Sequence, residues 1–135
     1  MSISKTSDLV GRLDQIDQRE LDALPFGSIQ LDASGRILRF NATEGALARR
    51  DPRKQIGRSF FDEVAPCTKV REFHGRVVRG LKDKRLHETF AFTFDFDFGK
   101  MDVAVTLFYS QATESVWVLV SRDADAIAAA RATAR

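Results

Sequence analysis

The chain has 135 residues, a formal net charge of +2, 44% hydrophobic and 30% charged residues, and eleven Phe against one Trp and one Tyr. A chain of this size forms one domain that buries roughly two thirds of its unfolded surface, with room for a small ligand, and the interspersed charge leaves no basic stripe for nucleic acid. A single cysteine excludes an internal disulfide, and with only His74 and His87 beside it no ligand set for structural zinc exists. Met1–Arg19 has no apolar run, and no segment approaches the roughly eighteen apolar residues of a membrane span, so a soluble cytoplasmic protein is expected.

In chain order, Leu9, Leu13, Ile16 and Leu21 form a helical stripe behind the capping candidates Ser7 and Asp8, which predicts an amphipathic helix or a pair of short helices. Gly27–Leu31 and Arg36–Phe40 read as strands joined by the turn Asp32-Ala33-Ser34-Gly35. Short helical or irregular pieces follow from Asn41 to Cys67, punctuated by Asp51-Pro52, an N-cap with proline in the first turn, and by Gly57 as a stop. Phe73, Val77, Val78 and Leu81 at helical spacing predict a helix over Glu72–Lys82. The last third reads as three strands, His87–Phe98, Met101–Ser110 and Ser115–Val120, with turns at Gly99-Lys100 and Gln111–Glu114. Phe90, Phe92, Phe94, Phe96 and Phe98 lie two apart and would share one sheet face, a pattern that covers a core more readily than it builds a cofactor site. From Asp123 the Ala- and Arg-rich composition predicts a short helix or tail. The expected organisation is an N-terminal helical cap over 1–25, a core over 26–122 and a tail over 123–135.

The residues that carry chemistry are few. Cys67, in Val64-Ala65-Pro66-Cys67-Thr68, is the one thiol on which a group could be attached, and Glu44, in Asn41-Ala42-Thr43-Glu44-Gly45, could exchange a proton with that group. Taken alone, Cys67 reads as a small buried hydrophobe, Glu44 as a solvated helix residue, Arg50 as a surface charge, and His74 and His87 as surface residues. No base stands beside Cys67 in sequence, and no phosphate-binding glycine loop or His-Glu-x-x-His motif is present, so an enzyme is not expected.

The order strand, strand, short helices, helix, three strands resembles a PAS domain, an α+β fold with a five-stranded antiparallel sheet flanked by helices. Phe26–Asp32, Asn41–Gly45, Arg50-Asp51-Pro52, Ile56–Phe61, Val64–Thr68, Glu72-Phe73, Phe92–Asp95 and Ser115–Val118 together resemble the photoactive yellow protein family from Leu21 to Arg122. That resemblance implies a blue-light photoreceptor carrying p-coumaric acid (4-hydroxycinnamic acid) as a thioester on Cys67. It further implies a phenolic oxygen buried near Glu44, Arg50 shielding the ring, and Phe40, Phe94 and Phe98 around it. Light would drive isomerisation, proton transfer from Glu44 and partial unfolding, with release of the N-terminal helix towards an unidentified downstream signalling protein. A monomer or weak homodimer is expected.

Three residues depart from the family pattern. Phe40 stands where a tyrosine is usual, Ala48 where a threonine supports it, and Phe98 where a methionine lies near the chromophore gate. A missing hydroxyl predicts a partly protonated chromophore and altered dark recovery. The other readings of the same residues are a chromophore-free PAS sensor or interaction module and a thiol redox sensor acting through Cys67.

Overall fold

The computed structural model describes residue 9 and residues 11–133. The capping candidates Ser7 and Asp8 lie outside them. The N-terminal stripe forms two short pieces: residues 11–13 are helical, the chain turns at residues 14 and 15, and α1 (Gln18–Asp22) follows, capped by the Asp17 carboxylate, which accepts from the Glu20 N–H at 2.8 Å.

Five strands make one antiparallel sheet: β1 (Gly27–Leu31), β2 (Ile37–Phe40), β3 (His87–Phe96), β4 (Gly99–Ser110) and β5 (Ser115–Ser121), in the order β2-β1-β5-β4-β3. The central strands β1 and β5 are buried along almost their whole length, which requires cover on both faces. Strand alternation sorts their side chains between the two covers. Val116, Val118 and Val120 of β5, with Ile29 and Leu31 of β1, enter the main core. Trp117 and Leu119, with Phe108 of β4, point the other way and pack on Leu13 and Leu21 of the N-terminal segment.

The main core is closed by α2 (Ala42–Ala48), a 3-10 turn at Pro52–Lys54, π-type turns at Phe60–Val64 and Arg71–Gly75, a 3-10 turn at Pro66–Thr68, and α3 (Arg76–Asp83). Asp51 caps the Pro52 turn, its side chain accepting from the Arg53 N–H at 3.1 Å, so that Pro52 sits where no amide donor is needed. The helix predicted over Glu72–Lys82 is α-helical only from Arg76; the preceding residues form a wider turn that carries Phe73 into the core beside Phe60, Phe61 and Phe90. Val78, read as part of the buried stripe, is 49% exposed.

Two strand boundaries also differ from the sequence reading. The β3–β4 turn falls at Asp97-Phe98, and Gly99, with φ of 139°, already begins β4 opposite Phe96. Phe98 therefore lies outside the strand and stands 39% exposed in the turn, its ring still stacked on Phe96. The turn falls two positions earlier than the expected Gly99-Lys100, because Gly99 takes a backbone angle denied to other residues and so opens the next strand at once. The C-terminal residues Ala124–Ala132 form α4, capped by Asp123 and lying against β3 and β4, with Ala130 buried and Arg131 paired to Asp102 at 3.1 Å.

Candidate functional site

The residues around Glu44 are placed by Asn41. This buried side chain accepts from the Glu44 N–H at 2.9 Å as the N-cap of α2 and from the Ser28 N–H at 2.9 Å, and it donates to the Leu21 carbonyl at 2.8 Å and the Phe26 carbonyl at 3.1 Å. The Asn-x-x-Glu spacing is that of a capping box, in which the glutamate reaches back to the cap residue's own N–H. Here that N–H donates instead to the Ser28 carbonyl at 3.0 Å. Glu44 is thereby released from the cap and turns inward.

Its carboxyl is 3% exposed, and Oε1 has no hydrogen-bond partner among the described residues. Burial without a compensating charge pushes the carboxyl up to about 8, so it is largely protonated at neutral pH. The space it fills exists because residue 27 is glycine: a Cβ there would stand 1.9 Å from Glu44 Oε1. By alternation Gly27 shares the β1 face of Ile29 and Leu31, so the carboxyl lies on the core side of the sheet. Sequence reasoning missed both Asn41 and Gly27 as parts of the site; the capping pattern was the available signal for the first, and nothing in the sequence marked the second.

Cys67 is half-buried in the short turn Pro66–Thr68 and is free. Its Sγ accepts from the Asp95 N–H at 3.5 Å. A cleft of about 400 Å³ opens beside it between three stretches of chain: Ala48–Arg50, Glu63–Cys67 and Asp95–Phe98. Arg50 ties the first stretch to the second, donating to the Val64 carbonyl at 3.2 Å and to Gln55 Oε1 at 3.3 Å.

Of the sequence-predicted site residues, Cys67, Arg50 and Phe98 line this cleft together, and Ala48 does so as well. Glu44, Phe40 and Phe94 do not line it; all three are buried, Phe40 and Phe94 in the main core. Ala48 and Glu44 are four apart on α2 and so lie on one face of the helix, which leads from the cleft wall inward to the carboxyl. Phe94 connects through Phe96, a cleft residue, by a near-parallel stack at 5.1 Å. Phe40, on β2, carries no hydroxyl to offer inward, and its backbone carbonyl accepts from Gln18 at 3.2 Å.

The PAS fold family matches residues 16–124. The photoactive yellow protein of Halochromatium salexigens is 38% identical over 117 residues, which is 87% of this chain and 94% of that protein. This chain belongs to the photoactive yellow protein family. The photoactive yellow protein of Rhodothalassium salexigens is 36% identical over 115 residues, 85% of this chain and 92% of its own length. Among solved structures, the photoactive yellow protein domain of the sensor histidine kinase Ppr from Rhodospirillum centenum superposes with a TM-score of 0.78 at 41% identity, covering 82% of this chain and 96% of that one. The five-stranded α+β architecture expected from the PAS resemblance is the one found.

As a member of the photoactive yellow protein family the chain is a photoreceptor-type PAS domain, and what it presents to a chromophore can be tested on its own atoms. A free thiol beside a cleft of about 400 Å³ suits a small group attached at the sulfur, and the Glu44 carboxyl, with an unused oxygen, is buried outside the cleft lining. Among the described residues no cluster of His, Cys, Asp or Glu is arranged to hold a metal ion. His74 is half-buried with its ring 4.5 Å from Phe61, and the exposed His87 lies 4.5 Å from Phe108; neither lines the Cys67 cleft. No helix among the described residues is long and apolar enough to cross a membrane.

Proposed function

We propose that this chain is a blue-light photoreceptor that carries p-coumaric acid (4-hydroxycinnamic acid) as a thioester on Cys67 and works as a cytoplasmic sensor, not an enzyme. The observation that supports this most is the buried Glu44 carboxyl, whose Oε1 has no hydrogen-bond partner among the described residues, one helical turn along α2 from the wall of the cleft that holds the chain's only thiol. The bound group supplies a light-absorbing phenol whose double bond changes geometry on excitation.

The protein's residues supply the rest. The Cys67 thiolate displaces the leaving thiol of an activated p-coumaroyl donor, its proton going to solvent, and the Asp95 N–H beside Sγ steadies the sulfur end of the site. Arg50 and Phe98 shield the cleft from water, and Phe96, stacked on the buried Phe94, forms its aromatic wall. Glu44, protonated at neutral pH, offers a hydrogen bond to an oxygen placed in the core. Loss of its proton would leave a buried carboxylate whose Oε1 has no donor among the described residues. That state costs several kcal/mol, a large share of a small domain's stability. Relief by partial opening is the signal, most directly by release of the N-terminal segment from the outer sheet face towards a downstream protein, with a histidine kinase as the kind of partner that the Rhodospirillum centenum relative suggests.

Reconstitution with activated p-coumarate, followed by intact mass and visible absorbance, tests the proposal. A p-coumaroyl mass increase and yellow colour, both lost in Cys67→Ala, are expected, with bleaching and recovery under blue light. A protein that stays unmodified and colourless is a chromophore-free PAS module. Because Phe40 and Ala48 contribute no hydroxyl, an ionised phenol has fewer donors and its pKa is raised. A titration of the visible band is expected to reveal a mixed, partly protonated ground state at neutral pH, and a fully ionised band there would refute this part.

A further inference from the structure

The three stretches that wall the cysteine cleft are joined pairwise. Arg50 ties Ala48–Arg50 to the Val64 carbonyl, the Asp95 N–H ties Asp95–Phe98 to Cys67, and the third junction is the guanidinium of Arg49, 4.0 Å above the centroid of the Phe98 ring. Arg49 and Phe98 are both exposed, as are Glu63, Pro66, Asp95 and Asp97 of the lining, whereas the cysteine is half-buried. The contact therefore lies at the rim of the cleft.

The backbone fixes Arg49 in this place. As the C-cap of α2 it has φ 57° and ψ 48°, the left-handed conformation that glycine adopts most easily, and its N–H closes the helix on the Gly45 carbonyl. An arginine here directs its side chain across the cleft, where glycine would leave the mouth open. On the opposite side the rings of Phe94, Phe96 and Phe98 stack at 5.1 and 4.9 Å with interplanar angles of 14° and 13°, so Phe98 is braced from behind and presents its outer face to the guanidinium.

We infer that Arg49 and Phe98 form a cation–π latch that closes the route to Cys67, and that an acyl donor reaches the sulfur only when this latch opens. Arg49 is a positioning residue: it touches neither the sulfur nor the acyl carbon but governs access to both. The inference depends on the photoreceptor reading only for the identity of the acyl group.

The test is the alkylation rate of Cys67 in the full, unloaded chain, followed by intact mass with neutral iodoacetamide and anionic iodoacetate. Breaking an exposed cation–π contact is expected to raise both rates about two- to fivefold in Arg49→Gly and in Phe98→Leu, while Arg49→Lys stays close to the parent. Glycine takes the left-handed conformation without strain, so Arg49→Gly keeps the end of α2 intact and its melting temperature checks this. Rates unchanged in Arg49→Gly would overturn the latch. A rate that falls with iodoacetate alone would overturn it as well, since Arg49 would then be steering anions. Loading with a p-coumaroyl thioester should accelerate in parallel. If alkylation responds but no variant loads, the latch stands and the photoreceptor reading falls.

Discussion

At the scale of single residues, the chain keeps an ionisable group where none is comfortable. The Glu44 carboxyl is pushed up from 4.5 to about 8 by burial, so between those pH values the folded protein holds a proton that the unfolded chain has released. Stability then falls as pH rises through this window, because the state binding more protons is the folded one. For the unloaded protein, urea denaturation should show its free energy of unfolding declining by a few kcal/mol from pH 5 to pH 8, and Glu44→Gln should flatten that dependence and be the more stable form at pH 8. Gly27 makes room for the same carboxyl, since a Cβ would stand 1.9 Å from Oε1 and 3.2 Å from Glu44 Cβ. Gly27→Ala is expected to cost about 1–3 kcal/mol as an overpacked site. By forcing the carboxyl outward it should also diminish the pH dependence, measurable in the same denaturation series.

At the scale of elements, the N-terminal segment is fastened to β4, β5 and the turn between them through the carboxylate of Asp14. Asp14 accepts from Ser110 Oγ at 2.5 Å, Thr113 Oγ1 at 3.3 Å and Trp117 Nε1 at 2.8 Å, which joins the turn before α1 to the β4–β5 turn and to the centre of β5. Arg39 adds a bond to the Leu13 carbonyl at 3.2 Å. Asp14→Ala leaves the buried indole N–H without its acceptor, and such an unmet donor costs about 1–3 kcal/mol. Trp117 is the only tryptophan in the chain, so its fluorescence reports this junction directly. A red-shifted emission and earlier unfolding are expected in Asp14→Ala, and an unshifted spectrum would show that the remaining contacts of Leu13, Gln18 and Leu21 hold the segment without Asp14.

At the scale of the whole molecule, the sheet separates two cores with different tasks. The larger one, under α2, α3 and the short turns, encloses Glu44 and borders the Cys67 cleft; the smaller one, formed by Leu13, Leu21, Phe108, Trp117 and Leu119, seals the opposite face. Removing residues 1–25 should leave the five strands paired but uncover Phe108, Trp117 and Leu119, an apolar surface of the kind that self-associates. Sedimentation and binding of a hydrophobic dye should both report it, with the far-ultraviolet circular dichroism of the sheet retained. Loss of that sheet signal would mean that the two cores fold as one unit.

The sequence by itself determined the sheet, the Asp51 cap and the family. Alternation in Ser115–Val120 separates Val116, Val118 and Val120 from Trp117 and Leu119, and Asp51-Pro52 caps a turn, because these patterns act through neighbours along the chain or along one strand. The tertiary structure alone decided how the candidate residues are distributed: Cys67, Arg50 and Phe98 meet in a cleft while Glu44, Phe40 and Phe94 are buried outside its lining. It also decided that Asn41 gives its N–H to Ser28 and so frees Glu44, and that Phe98 leaves the strand to face Arg49. Those outcomes depend on which of several polar partners is nearest after folding and on where a turn is tightest. They are set by distances between segments remote in sequence, which no local pattern encodes.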